Sequence, residues 1–220
     1  MLPGREARIR SLLVGALAPD EYEKLMNQGY RKFGVVLFRP ECGACQECRP
    51  IRVDAEKFAP SRSQRRAWRD NADLEVRFAE PRADLERLGL YHRYHDWQGR
   101  RKGWPVNPLE TKEYELQFVL NPLPSIEVSV WDRDKLVGIA LTDVTPNVVS
   151  GVYHFYDPEY SDRGLGTFLV LYVVELARRL QKKWAYFGFY VAGCADMAYK
   201  AKFRPCEVLS VAGEWQNFDA

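Results

Sequence analysis

The chain has 220 residues, enough for one large domain or for two small lobes that share a core. Hydrophobic residues make up 46%, enough to bury a sizeable interior, which excludes a generally disordered chain. The formal net charge is only +2, so overall basicity is excluded as a route to nucleic acid and any such surface must come from local clustering.

The first helix is predicted over residues 19–28. Pro19 suits a first helical position, Tyr22, Leu25 and Met26 share a face, and Gly29 ends it. Residues 35–39 read as a strand that leads into a cysteine loop, and Ile51 and Val53 alternate with polar neighbours as in a second strand. Ser61 and Gln64 form a capping box opening a helix that runs to about Asn71. A further helical stretch covers residues 81–97, weakened by Gly89. Residues 99–108, rich in Gly, Pro and basic groups, are expected to be a loop between lobes. Beyond it strands dominate: Ile126, Val128 and Val130 alternate, residues 132–135 turn, and residues 136–144 and 148–156 follow as strands. A long helix over residues 165–181 is apolar on most sides and therefore buried. A strand (184–190), a short helix (197–202) and a last strand (207–211) complete the pattern. The order predicts an α+β fold with a mixed, largely antiparallel sheet. It resembles GNAT-like acyltransferases over residues 76–220, preceded by a small cysteine-containing N-terminal lobe over residues 1–75 that carries an arginine-rich helix.

Five cysteines are present, and Cys42, Cys45 and Cys48 are too crowded for a disulfide framework. The basic N-terminal start has only a short apolar run broken by Gly15, and no apolar stretch approaches the roughly 20 residues of a membrane span. A reducing, soluble, cytoplasmic setting is expected.

Four arginines, Arg62, Arg65, Arg66 and Arg69, recur at helical spacing on one face. Guanidiniums match phosphate oxygens well, and Trp68 and Trp97 offer faces for stacking bases. The same stripe also reads as a solvated face paired with Asp54, Glu56, Asp70 and Asp73. Thiolates spaced like Cys42, Cys45 and Cys48 can converge on zinc or an iron–sulfur cluster. A closed site wants four ligands, so Cys194, Cys206 or a histidine would have to come from far along the chain. Gly164 and Gly166 open the long helix, where small residues let a ligand approach free N–H groups or simply serve packing. Strand alternation sets His154 and Tyr156 opposite Tyr153 and Phe155, and Pro158 holds Asp157 extended. Aromatic and basic groups, among them Tyr190, Lys200 and Arg204, cluster beyond the last glycine-flanked strand.

Taken together, LPGREAR near the start, FRPECGACQECRPIRV, FAPSRSQRR, YHFYDP, the GLG helix start and GFYVAGCADMAYKAKFRP resemble the aminoacyl-tRNA–protein transferases. These are the arginyl-tRNA–protein transferases and the bacterial aspartate/glutamate leucyltransferases of the N-degron pathway. The short length and the three-cysteine loop resemble the leucyl branch. The resemblance implies aminoacyl-tRNA as donor, leucine or arginine as the transferred residue, and proteins beginning with Asp or Glu as acceptors. It implies no required cofactor. Family members carry a further cysteine ahead of the LPGREAR text, so little zinc or iron is expected on Cys42, Cys45 and Cys48. The implied roles are amine orientation or deprotonation by Asp157 with Tyr156 and His154, and contacts of Gly164 and Gly166 backbone with ribose, phosphate or oxyanion. Arg62, Arg65, Arg66 and Arg69 would hold acceptor-stem phosphates, Lys200 and Arg204 would meet the acceptor's acidic residue, and Tyr190 would border the substrate. The competing reading is a CoA-dependent N-acyltransferase. Ser161 argues against it, standing where that family's phosphate loop carries Arg or Gln.

Overall fold

A computed structural model describes residues 6–43, 45–103, 105 and 108–219, so the first part of the LPGREAR text, Trp104, Val106 and Asn107 lie outside the described residues. Strand β1 (Ile9–Leu13) precedes helix α1 (Pro19–Met26), whose Tyr22 and Met26, one turn apart, are buried. Strands β2 (Arg31–Phe33) and β3 (Val36–Pro40) form a hairpin, and β1 joins it across β3. After the cysteine loop come β4 (Arg49–Asp54) and α2 (Arg62–Asp70). The predicted capping box forms: Ser61 N donates to Gln64 Oε1 at 2.8 Å and Gln64 N to Ser61 Oγ at 3.4 Å.

Strand β5 (Glu75–Ala79) leads to α3 (Leu85–Lys102) and a short α4 (Thr111–Tyr114) extended by a π-turn. The loop expected from residue 99 begins only after Lys102. Arg100, Arg101 and Lys102 favour a helix C-terminus, and Gly103 closes it in the left-handed conformation at φ 66°. Strands β6 (Ser125–Asp132), β7 (Lys135–Val144) and β8 (Val148–Tyr156) are followed by α5 (Leu165–Arg179) and β9 (Trp184–Tyr190). Helix α6 (Ala195–Ala198), β10 (Cys206–Leu209) and β11 (Trp215–Asn217) end the chain.

The larger sheet has eight strands in the order β11-β10-β4-β9-β8-β7-β6-β5. Every pairing is antiparallel except β8 with β9. Strand β4, which belongs to the expected N-terminal lobe over residues 1–75, lies inside this sheet between β9 and β10. Ile51 and Val53, on one face of β4, are fully buried and belong to the same main core as α5. The preceding unit of α1 and β1–β3 packs through Tyr22, Met26 and Leu37 against Val148 and Tyr186.

One face of the sheet is covered by α5, whose Leu165, Phe168 and Leu169 join Val128, Val130 and Ala140 in the main core. The other face carries α3, with Leu90, Tyr91 and Tyr94 packed on Ile139 and Phe155. A buried ion pair fixes α3 to β6: Arg87 Nη2 donates to Glu127 Oε1 at 2.6 Å and Arg87 Nε to both carboxylate oxygens at 3.0 Å. No helix among the described residues is long and apolar enough to cross a membrane.

Candidate active site

The parallel ladder between β8 and β9 covers only Val148–Ser150 against Trp184–Tyr186. Past it the strands part, and a cleft of about 770 Å³ opens there, lined by both layers of the protein. Its walls are Tyr94, Trp97 and Gln98 of α3, His154 and Tyr156 of β8, and the start of α5. Lys200, beyond β9, closes one side.

The α5 start is built for close approach. Gly164 has φ 69° and supplies no side-chain cap, so the first-turn N–H groups that a helix leaves without intrahelical partners are free to face a ligand. A Cβ on Gly166 would stand 2.9 Å from Tyr156 Cε1, so glycine is what lets that ring lie against the helix. Tyr156 packs on Tyr94 and Trp97, with ring centroids 5.2 and 6.0 Å apart. Gln98 Nε2 donates to Tyr94 OH at 2.9 Å, while Gln98 Oε1 is buried with no partner among the described residues. An unsatisfied buried acceptor on a cleft wall can take a hydrogen bond from an incoming N–H.

Of the expected site residues, His154, Tyr156, Gly164, Gly166 and Lys200 line this cleft. His154 keeps partial exposure only because it faces the cleft, and burial, with the Lys200 charge second, lowers its pKa to about 4. It is a neutral hydrogen-bonding group at physiological pH. Lys200 is 9% exposed, and its Nζ donates to Phe189 O at 2.8 Å.

Asp157 is not brought to the cleft. It falls on the opposite face of β8 from Tyr156, where its carboxylate accepts from Glu159 N at 3.1 Å and pairs with Lys135 at 3.1 Å and Arg93 at 3.3 Å. It serves there as the cap of the turn after β8. Tyr190 is buried against Phe218, and Arg204 lies at the surface beside Asp219; neither lines the cleft. Sequence reasoning missed Tyr94 and Gln98, whose four-residue spacing on α3 was the available signal.

The arginine stripe is exposed on α2. Arg69 pairs with Asp70 at 3.0 Å and Arg65 donates to Pro60 O, while Arg62 and Arg66 have no ion pair or hydrogen bond among the described residues. Asp54 pairs instead with Lys57, and Asp73 with Arg163. Helix α2 sits beside the α5 entry: Asn71 Nδ2 donates to Arg163 O at 2.8 Å, and a Cβ on Gly164 would touch Ala67. Trp68 stacks on Tyr172 of α5 at 5.1 Å, so it docks the two helices, whereas Trp97 is in the cleft wall.

Cys42, Cys45 and Cys48 border a separate hollow of about 410 Å³. The Cys48 thiol is pushed up chiefly by burial, then by Cys42, Cys45 and Glu47, with a further contribution from Cys194 on the loop after β9. Among the described residues no group of three or more His, Cys, Asp or Glu side chains is placed to hold a metal ion.

The fold and cleft define a class: a mixed α+β protein with a cleft where two parallel strands part over a helix start. The structure of L-PGS from Bacillus licheniformis shares this fold, with a TM-score of 0.50 at 14% identity, covering 78% of this chain and 50% of that one. The family model for Arginine-tRNA-protein transferase, N terminus, matches residues 2–66, and that for Arginine-tRNA-protein transferase, C terminus, matches residues 86–210. An aspartate/glutamate leucyltransferase of Aeromonas hydrophila is 36% identical, over 90% of this chain and 82% of its own length. One of Chromobacterium violaceum is 35% identical, over 98% of this chain and 88% of its own. The chain therefore belongs to the aminoacyl-tRNA–protein transferase family, and it is an aminoacyltransferase.

Proposed function

We propose that this cytoplasmic enzyme takes leucine from leucyl-tRNA and joins it to the N-terminus of proteins beginning with Asp or Glu, marking them for degradation. The observation that carries the reading is the cleft at the β8–β9 parting, on a chain similar along most of its length to aspartate/glutamate leucyltransferases. That parting over a glycine-opened helix supports a GNAT-like acyltransferase architecture.

The chemistry suits the site. The acceptor's free α-amine attacks the ester carbonyl carbon, a C–N bond forms, the C–O bond breaks, and the tRNA ribose leaves as its hydroxyl. An ester is exchanged for an amide, so no ATP is needed. The cleft contributes alignment of amine and ester, which alone can lower a barrier by about 7–11 kcal/mol. First-turn N–H groups of α5 face the developing oxyanion, where preorganised donors are most effective. His154, being neutral, accepts a hydrogen bond from the attacking amine. The test uses labelled leucyl-tRNA and arginyl-tRNA with an Asp-starting peptide, without CoA or ATP. Leucine is expected on the peptide. No label from leucyl-tRNA would end this reading.

The exposed stripe on α2 is the proposed acceptor-stem contact. Changing Arg62 and Arg66 together to Ala should weaken tRNA binding for every sequence and flatten the salt dependence of log K by roughly 1.4–1.8 units, as for two lost phosphate contacts. The fold should hold, since neither side chain is paired and Ala favours helix. An unchanged slope in the folded variant would place the tRNA surface elsewhere.

A further inference from the structure

Two buried cations meet at the place where β8 and β9 part. Arg31, on the short strand β2, is 5% exposed and reaches across to β8. Its Nη2 donates to Ser150 Oγ at 2.9 Å and to Gly151 O at 3.2 Å, the last paired residue of β8 and the first beyond. Lys200 comes from the chain after β9 and lines the cleft. A Cβ built on Gly188 would stand 3.6 Å from Lys200 Nζ and 3.9 Å from Arg31 Nε, so both nitrogens border one stretch of backbone. Gly188 has φ 80°, which favours glycine there and leaves the space between the cations without a side chain.

Neither cation has a carboxylate within ion-pair distance among the described residues. Lys200 Nζ is bonded to Phe189 O and the Met197 sulfur, and Arg31 to Ser150, Gly151 and the Met26 sulfur. The neighbouring acid, Asp143, is taken by Lys32 at 3.2 Å, both side chains fully buried. Buried charges are ordinarily paired, because an unpaired one loses its hydration without compensation. Two like charges left together are relieved by an anion between them or by loss of the lysine proton. Burial and the Arg31 charge pull the Lys200 pKa down to about 7 against a small opposing effect of Cys194, the signature of a site short of negative charge.

We propose that Arg31 and Lys200 form the carboxylate subsite that selects the acidic first side chain of the acceptor. This rests on the aminoacyl-transfer reading and gives it a specificity-determining pair. Arg31 presents its Nε beside Gly188, with its Nη2 held by the Ser150 hydroxyl and the Gly151 carbonyl, and Lys200 gives a point charge on the cleft wall. With the carboxylate anchored on this floor, the acceptor's α-amine stands in the same cleft as His154 and the α5 start. An amide side chain of equal size leaves both cations unpaired, which is a stronger rejection than any loss of packing.

The test compares peptides beginning Asp and Asn in wild type, Lys200→Met and Arg31→Gln, reading kcat/KM for leucine transfer and thermal unfolding. Wild type is expected to prefer the Asp peptide by at least about 30-fold, the effect of truncating one partner of a buried charge pair. Lys200→Met keeps the stem and should bring that preference below about threefold, mainly through KM, with leucyl-tRNA affinity unchanged. Should Arg31→Gln not fold, calorimetric binding of an Asp-starting dipeptide against its Asn twin to wild type and Lys200→Met gives the same answer. Intact discrimination in folded Lys200→Met overturns the proposal, as does a loss of leucyl-tRNA affinity in place of acceptor preference. Wild type that transfers nothing to either peptide would instead remove the transfer reading on which the pair rests.

Discussion

Replacing Glu127 with Ala is expected to lower stability by about 3–5 kcal/mol, the effect of breaking a buried ion pair from one side. Glu127 is fully buried on β6, and the Arg87 side chain on α3 is 3% exposed. Their bidentate contact leaves neither group access to water, so removing the carboxylate strands a guanidinium inside the protein. Asp84, which stays bonded to Arg87 Nη1 at 2.6 Å and is partly exposed, should keep the loss near the lower end. For a domain of this size the melting temperature should fall by roughly 6–20 °C. Urea unfolding with the double variant Arg87→Met/Glu127→Leu supplies the control, since an apolar pair removes the stranded charge and should recover most of the loss. A drop below about 1 kcal/mol in the single variant would mean that water reaches the pair. Transfer activity should fall further than stability, because α3 carries Tyr94, Trp97 and Gln98 of the cleft wall.

What could be read without coordinates follows the range of the interactions involved. Helices α1, α2 and α5 and strands β6 to β9 are fixed by local periodicity, and the Ser61–Gln64 box formed because its partners are three residues apart. The place of β4 was not legible. Ile51 and Val53 mark a strand, but nothing local says that it pairs with residues more than 100 positions away on both edges. Strand β5 was missed although Val76 and Phe78 alternate, because five residues with charged neighbours give little contrast. His154, Tyr156, Gly164 and Gly166 line one cleft because one strand and one helix start are adjacent in the chain. Asp157 lies next to them in sequence, yet one residue along a strand reverses the face, and Arg93 and Lys135 wait on the other side. Arg31 had no signal at all. It stands in a three-residue strand, and only the passage of β2 behind the β8–β9 parting brings it against Ser150 and beside Gly188.

Gly166→Val should reduce kcat/KM for leucine transfer by about 100-fold, the scale of effect that a 1 Å displacement of reacting groups produces. The reason is geometric. A Cβ at this position would lie 2.9 Å from Tyr156 Cε1, well short of the roughly 3.5–4.0 Å of ordinary carbon contact, with Cζ at 3.5 Å. The ring cannot simply withdraw, because Tyr94 and Trp97 pack against it and Gln98 holds the Tyr94 hydroxyl. Either the first turn of α5 moves away from the cleft or the Tyr156 ring moves into it, and both disturb the donors proposed for the oxyanion. Overpacking of this kind lowers stability by about 1–3 kcal/mol, so the variant should remain folded at 25 °C. Steady-state transfer to an Asp-starting peptide, measured beside thermal unfolding, separates the kinetic loss from the structural one. Adding Tyr156→Ala should relieve the clash and return stability toward wild type, without restoring rate if Tyr156 also borders the substrate. Full activity in folded Gly166→Val would show that the α5 start does not touch the reacting atoms, and the oxyanion donors would have to be sought on β9.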